Sequence, residues 1–356
     1  MKKLLLCAVS FAALAMVAVS AETGAAVEKS QQTETVKTPK KAVKKAKKSN
    51  LPAKEITYLC SYDNSQQPAL LMVAKSKDPR PLFVTLHTWS SDYRQCNSAY
   101  ARRLVGHDVY MIAPNFRGRN TAGNPLSMGS DAAISDIIDA VKYMQKNYNV
   151  DNDRIYLVGG SGGGYMSLLT SSRNRDIWAG VSSWCPISDL VEWHSYYDKM
   201  PAAKKSYGNH IEKNIGNPKT DEKAKAEAVK RSPVNHLEGV SYPLDISHGL
   251  FDRSVPVEHA IRAFNKVAAP KDRFSEAEIK DIKARKLSKF PVVNEKLGKS
   301  KIYVRRVSGN VRLTIFHAGH SIMPGVGIQW LLKQQKGKPA DFSAIKSNEA
   351  SAALGR

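Results

Sequence analysis

The chain is poor in cysteine and has no spacing of it that builds a scaffold. Among 356 residues there are four cysteines, no Cys-x-x-Cys pair and no His/Cys cluster. That excludes a mini-protein stapled by disulfides and argues against a structural zinc site. Acidic residues are scarce too: 32 Asp+Glu stand against 54 Lys+Arg, a net charge of +22 that calls for a location and a partner. No internal repeat is present. No nucleic-acid recognition motif accompanies the basic runs, so a nucleic-acid partner is not expected. A phosphate loop is missing as well. The one glycine-rich segment, Gly159-Gly160-Ser161-Gly162-Gly163, is followed by no Walker lysine. Tyr165 stands where a dinucleotide loop needs its third glycine, and no acidic residue ends the next strand.

Hydrophobic residues make up 42% of the chain, enough for a packed core and too many for a disordered polymer. The ends differ from the middle. Met1-Lys2-Lys3 precedes an unbroken apolar or small stretch from Leu4 to Ala21, and Val19-Ser20-Ala21 offers the small residues of a cleavage site. Residues 1–21 are therefore expected to be a signal peptide, with export to the periplasm or beyond the cell. Cys7 leaves with it. Cys60, Cys96 and Cys185 remain, allowing one disulfide and one free thiol in a pairing that spacing does not choose. Residues 22–54 hold nine Lys against three Glu and few large apolar side chains. They read as a disordered basic linker, a solvated spacer in preference to an electrostatic contact with an anionic envelope or polymer. Residues 339–356 are polar and read as a loose tail.

Between them, residues 55–338 alternate strands with helices. Apolar runs at 81–87, 109–114 and 154–158 have the continuous hydrophobicity of strands buried on both faces. Further strands are expected at 56–59, 70–73, 178–183, 243–248, 302–307 and 311–316. Helices are expected at 131–148, 257–267 and 328–335, with an amphipathic stretch at 165–171. This is an α/β fold with a mostly parallel, doubly covered central sheet. Insertions are placed at 187–241, which carries Trp193, His194, Tyr196 and Tyr197, and at 270–300, helical around 275–289.

Gly159–Gly163 fits Gly-x-Ser-x-Gly, directly after a buried strand and before a helix. That context lifts a serine hydroxyl onto a sharp strained turn and aims the following backbone amides at developing negative charge. Ser161 is the expected nucleophile. A serine needs a base, and the base an orienting carboxylate. Asp252, in the loop after strand 243–248, is the expected acid, ahead of Asp245 inside the strand, Asp189, which comes too early, and Glu258 at a helix start. His320, in His317-Ala318-Gly319-His320, is the expected base, with His317 as rival and His248 read as a loop brace. The amide of Gly162 should supply one oxyanion donor and that of Trp89 the second, with Thr88 next in line. The Trp89 ring is placed toward the acyl pocket in preference to a buried loop anchor. Trp193, Tyr196 and Tyr197 are placed at a substrate rim, where aromatics stack on sugars or aryl acyl groups; a small lid core is the alternative.

These blocks together resemble the α/β-hydrolase superfamily and, within it, the catalytic domain of the prolyl oligopeptidase family, over about residues 80–335. Ala113-Pro114-Asn115-Phe116-Arg117-Gly118 is similar to that family's Arg-Gly block. Gly159–Tyr165 resembles its nucleophile elbow, Arg231–Leu237 its Ser-Pro block, His248–Pro256 its acid loop and Gly319-His320 its histidine loop. Three departures stand out. The peptidases carry a β-propeller before the hydrolase domain, and here only about 30 residues separate the linker from the third strand. His87-Thr88-Trp89 replaces their His-Gly-Gly segment, and Gly162 follows the nucleophile where they often have Tyr. The resemblance implies a secreted serine hydrolase acting through an acyl-enzyme, without cofactor or metal. It is similar to stand-alone polysaccharide-modifying esterases that remove acetyl or feruloyl groups. The alternatives are a peptidase of the same mechanism and a non-catalytic binding protein on a hydrolase scaffold. The charge divides accordingly. The linker carries +6, while residues 199–231 (nine basic, four acidic) and 270–301 (ten basic, five acidic) make the insertions basic.

Overall fold

A computed structural model describes residues 52–343. The expected signal peptide, nearly all of the basic linker and the end of the tail lie outside the described residues.

The described chain forms a ten-stranded sheet in the order β1-β2-β4-β3-β5-β6-β7-β10-β9-β8. Its centre is parallel: β4 (Tyr110–Pro114), β3 (Arg80–Leu86), β5 (Val150–Gly160), β6 (Gly180–Trp184), β7 (Leu244–Gly249) and β10 (Val311–Phe316). Antiparallel strands flank it, β1 (Lys54–Leu59) and β2 (Gln66–Met72) on one side, β9 (Ser300–Ser308) and β8 (Lys296–Leu297) on the other. The strand alternation explains the continuous apolar runs. Along β3, Leu82, Val84 and Leu86 enter one hydrophobic cluster, while Phe83 enters the cluster on the opposite face. The first cluster is closed by α2 (Asp131–Asn147), α3 (Gly162–Arg173) and α7 (Glu258–Val267). The second is closed by α1 (Arg102–Leu104) and α9 (Pro324–Leu331).

Local chemistry sets the helix ends. Ser130 caps α2 by accepting the amide of Ala133. Three helices refine the expected boundaries. α3 is buried on every side from Gly162 to Ser172, so the stretch read as amphipathic is a core helix. α9 starts earlier than expected because Pro324 occupies its first turn, where a missing N–H costs nothing. In the second insertion, α8 (Glu276–Lys283) is held by a Ser275–Glu278 capping box and stops early, since Arg285 takes a positive φ of 62°. The first insertion folds into α4 (Leu190–Asp198), α5 (Ser206–Ile215) and α6 (Glu222–Lys230). The start of the polar tail is packed rather than loose. Phe342 stacks on Trp330 at 5.9 Å, Arg312 lies over Phe342, and Trp330 Nε1 donates to the Asp341 carbonyl at 2.9 Å.

Strand register positions the site. Leu86 pairs with Gly159, Gly160 with Trp184, Trp184 with Ser247, and Phe316 with Gly249. The carboxyl ends of five neighbouring parallel strands are thereby level, and the loops that follow carry Trp89, Ser161, Cys185, Asp252 and His320. This is the edge where open α/β sheets place their ligands.

Candidate active site

Ser161 sits at the turn from β5 into α3 with φ +56° and ψ −121°, a backbone conformation that a non-glycine residue holds only under external constraint. Its amide donates to the Trp184 carbonyl at 2.8 Å, and its carbonyl accepts the amide of Tyr165 at 2.8 Å. The phenol of Tyr165 anchors the first turn of α3 by donating to the Arg231 carbonyl at 2.9 Å.

Gly162 faces the loop after β3 at backbone distance. A Cβ there would lie 2.4 Å from the Trp89 nitrogen and 2.5 Å from its Cα. Neither the Gly162 amide nor the Trp89 amide has an acceptor among the described residues, whereas the Thr88 amide is committed to Gln95 Oε1 at 2.9 Å. Two unpartnered amides therefore lie near one another beside the serine, where an oxyanion would need donors, and Thr88 drops out as a donor. The loop is pinned by His87, stacked on Phe116 at 3.8 Å, and by the Asn120 amide donating to the Trp89 carbonyl at 3.0 Å. The Trp89 ring is fully buried, edge-on to Trp193 at 4.8 Å. It anchors the loop and does not wall an acyl pocket, because the insertion helix α4 covers it.

Asp252 lies in the loop after β7. Its Oδ1 accepts the amides of Ser254 (2.8 Å) and Val255 (3.0 Å), and its Oδ2 lies 2.6 Å from His320 Nδ1 and 3.3 Å from His248 Nε2. Burial pushes this carboxyl upward, but the hydrogen bonds and charges of His248 and His320 outweigh it and hold the group well below the usual carboxylate range. With Nδ1–H donated to Asp252, the neutral imidazole of His320 leaves Nε2 as the base. The His320 side chain keeps 27% of its surface exposed. The described hydrogen bonds do not include one from Ser161 to His320. The two loops nonetheless meet, since Ile322 fills the space beside Gly160 and the Cys185 thiol donates to the Ser321 carbonyl at 3.3 Å. Such catalytic contacts commonly tighten only with substrate.

The rivals for these roles are occupied elsewhere. His317 bonds to the Tyr303 hydroxyl and packs against Phe251. Asp245 pairs with Arg312 across strands at 2.7 Å. Asp189 caps α4, and Glu258 pairs with Lys283 at 2.6 Å. His248 braces the acid loop, as read from sequence, holding the Val255 carbonyl at 2.9 Å as well as Asp252.

The aromatic cluster is corrected in part. Trp193 and Tyr197 are buried and both donate to the Ser254 carbonyl at 2.9 Å, while Tyr196 donates to the Arg253 carbonyl at 3.0 Å. Trp193 and Tyr197 are thus the core of the insertion and clamp Ser254, while Tyr196 holds Arg253, so the three fix the two residues after Asp252. Only Tyr196 remains partly exposed. The disulfide that the cysteine count allowed does not form: Cys60, Cys96 and Cys185 are all free and buried. Sequence reasoning missed Cys185 as a neighbour of the site; its place at the end of β6 was the available signal. Its sulfur and the side chains of His248 and Asp252 lie within 4.8 Å of one another. Asp252 is engaged by both histidines and the thiol by Ser321, while His248 uses Nε2 and leaves Nδ1 without a partner among the described residues. Burial, with Asp252 beside it, pushes the thiol up to about 12, so the group reads as backing for the acid.

Two further sequence blocks acquire structural roles. Arg117 is buried, with a positive φ of 72°, and bridges Asp136 (3.0 Å) and Asp63 (2.6 Å). Arg231 reaches the carbonyls of Pro125 and Ser127, tying the insertion to the loop before α2, and Ser232 Oγ accepts the Leu190 amide at 2.8 Å within the insertion.

Residues 97–280 match the prolyl oligopeptidase family. Among curated proteins the chain is 27% identical over 214 residues to dipeptidyl aminopeptidase BIII of Pseudoxanthomonas mexicana, covering 55% of this chain and 30% of that one. It is 29% identical over 160 residues to the uncharacterized peptidase YtmA of Bacillus subtilis, covering 44% and 58%. The chain thus spans less than two thirds of each relative. The acylaminoacyl peptidase of Pyrococcus horikoshii superposes with a TM-score of 0.54 at 16% identity, over 82% of this chain and 43% of that one, a likeness of fold.

Proposed function

The chain belongs to the prolyl oligopeptidase family and is a serine hydrolase, and from that premise we propose that Ser161, His320 and Asp252 cleave carboxylic esters in preference to peptides. Ser161 Oγ attacks the carbonyl while His320 Nε2 takes its proton. Asp252 holds the imidazole through Nδ1–H and stabilises the imidazolium. The amides of Gly162 and Trp89 hold the oxyanion. Collapse expels the alcohol, which takes the proton from His320, and water activated by the same base frees the enzyme from its acyl group.

The observation that carries catalysis is the close approach of the Gly162 and Trp89 backbones, both amides unpartnered, beside a strained serine. The surroundings of the acid loop count against one peptidase class, an aminopeptidase. An aminopeptidase must bind a substrate ammonium with a free carboxylate. Glu192 and Glu258 beside the loop are paired with Arg262 (2.5 Å) and Lys283 (2.6 Å), and Asp252 is engaged by histidines. The exposed His320 loop suits a bulky alcohol as leaving group, such as an acetylated or feruloylated polysaccharide. We also propose export, on the apolar stretch Leu4–Ala21, and a tethering contact of the basic linker with an anionic envelope or polymer as its second role. The names of the curated relatives favour the peptidase reading as the second possibility.

Matched substrates decide between them: nitrophenyl acetate and acetylated or feruloylated oligosaccharides against aminoacyl and dipeptidyl anilides. Ester turnover with negligible anilide cleavage is expected. A clear preference for the anilides refutes the ester reading and establishes the peptidase.

A further inference from the structure

A cavity of about 420 Å³ lies against the acid loop, between α4, the start of α7 and the end of α8. Its charges do not cancel. The acids Glu192 and Glu258 are consumed by Arg262 and Lys283, and Asp252 is held by His320 and His248. Three cations on the wall, Lys199, Arg253 and Arg285, have no carboxylate partner among the described residues. The backbone of one and the guanidinium of another are held in place. Arg253 directly follows the triad acid, and its carbonyl is fixed by the Tyr196 hydroxyl at 3.0 Å. Arg285 sits at the end of α8 in a left-handed conformation with its guanidinium over the Phe251 ring at 4.9 Å. Phe251 and Tyr196 supply aromatic surface to the same cavity.

We propose that this cavity is a substrate subsite for a carboxylate-bearing saccharide, the guanidinium groups taking the carboxylate and the aromatic rings the sugar face. Planar guanidinium forks match carboxylate geometry, and two of them on one wall can share the same carboxylate-bearing ligand. The aromatic faces offer a sugar ring an apolar platform. The inference rests on the hydrolase reading for its biological sense, since the cavity adjoins Asp252, but its binding chemistry does not depend on turnover. It also accounts for part of the chain's basic excess: Lys199 and Arg285 belong to the two basic insertions.

The test is calorimetric titration of the full chain with trigalacturonic acid, with its neutral galactose counterpart, and with an acidic peptide of equal charge. Nitrophenyl acetate turnover of the same preparation is measured in parallel. The acidic saccharide should bind and the neutral one should not, with affinity falling as salt rises. Arg253→Gln with Arg285→Gln should weaken it at least about tenfold, a loss of ~1.4 kcal/mol, with an unchanged melting temperature. Lys336→Gln, an exposed cation outside the cavity, should leave affinity and turnover unchanged. Equal binding of neutral and acidic sugars, full affinity in the double variant, or stronger binding of the acidic peptide would each overturn the proposal. If nitrophenyl acetate is untouched while the saccharide result holds, the hydrolase reading fails and the subsite stands.

Discussion

Gly162→Ala places one methyl group where the structure has no room for it. The added Cβ would lie 2.4 Å from the Trp89 nitrogen and 2.5 Å from its Cα. Both are backbone atoms, so no side chain can swing aside. Relief requires the loop His87–Ser91 or the elbow to move by roughly 1 Å, and a misplacement of about that size typically costs on the order of 10²-fold in rate. The moved atom is itself an expected oxyanion donor, and loss of one such donor costs ~10²–10³ in kcat, about 3–4 kcal/mol of transition-state stabilisation. Overpacking adds ~1–3 kcal/mol of destabilisation, small enough for the variant to remain folded. Hydrolysis of a nitrophenyl ester should therefore lose about two to three decades in kcat with KM little changed, because the donors act on charge that develops only in the transition state. Circular dichroism and a melting curve confirm that the variant is folded. A folded Gly162→Ala enzyme that keeps kcat within about threefold, under ~1 kcal/mol of barrier, would refute the assignment of these amides.

Asp252→Asn should lower kcat by about 10⁴, since an amide favours the wrong tautomer of His320. Asp252 also links stability to pH. Its folded pKa is depressed, so its contribution is complete above the unfolded value of ~3.9 and is lost as pH falls through the folded one. The urea midpoint of the variant should lag the wild type at pH 7, and the gap should close as pH drops below about 4; a constant gap contradicts the linkage. Arg117→Met strands Asp136, whose side chain is fully buried, and should cost about 3–5 kcal/mol in denaturant unfolding; a change under ~1 kcal/mol would show that the network is slack. Burial pushes the thiols of Cys60, Cys96 and Cys185 up to about 11, 12 and 12. All three should resist a thiol reagent at pH 8 until the chain is unfolded, and rapid labelling of the native protein would contradict their burial.

The strands and the strand-end positions of Ser161, Asp252 and His320 were legible for a shared reason. Each rests on short-range pattern: continuous apolar runs at 81–87 and 154–158, small residues around Ser161, and an acid and a histidine just past strand ends. The missed features are long-range. Trp193 and Tyr197 were equally compatible with a substrate rim and a lid core, because an aromatic on a short helix carries no sign of which face is covered. What decides is the Ser254 carbonyl, 61 residues from Trp193 and 57 from Tyr197. The same holds for the Trp89 ring, buried by α4 from a distant insertion. The cysteines illustrate the limit of counting, since an odd set of thiols in a chain expected to be exported suggests a bridge, and only their separate burial shows three apolar-like residues. Arg117 and Arg231 were visible as blocks, but their work as buried clamps depends on carboxylates and carbonyls brought in by folding.

The account turns on Ser161 as an activated nucleophile. Treating the native chain with a fluorophosphonate and mapping the adduct by mass spectrometry tests this directly. The adduct should fall on Ser161 alone and be absent from Ser161→Ala. A folded protein that takes no label, or carries it on another residue, would contradict the account.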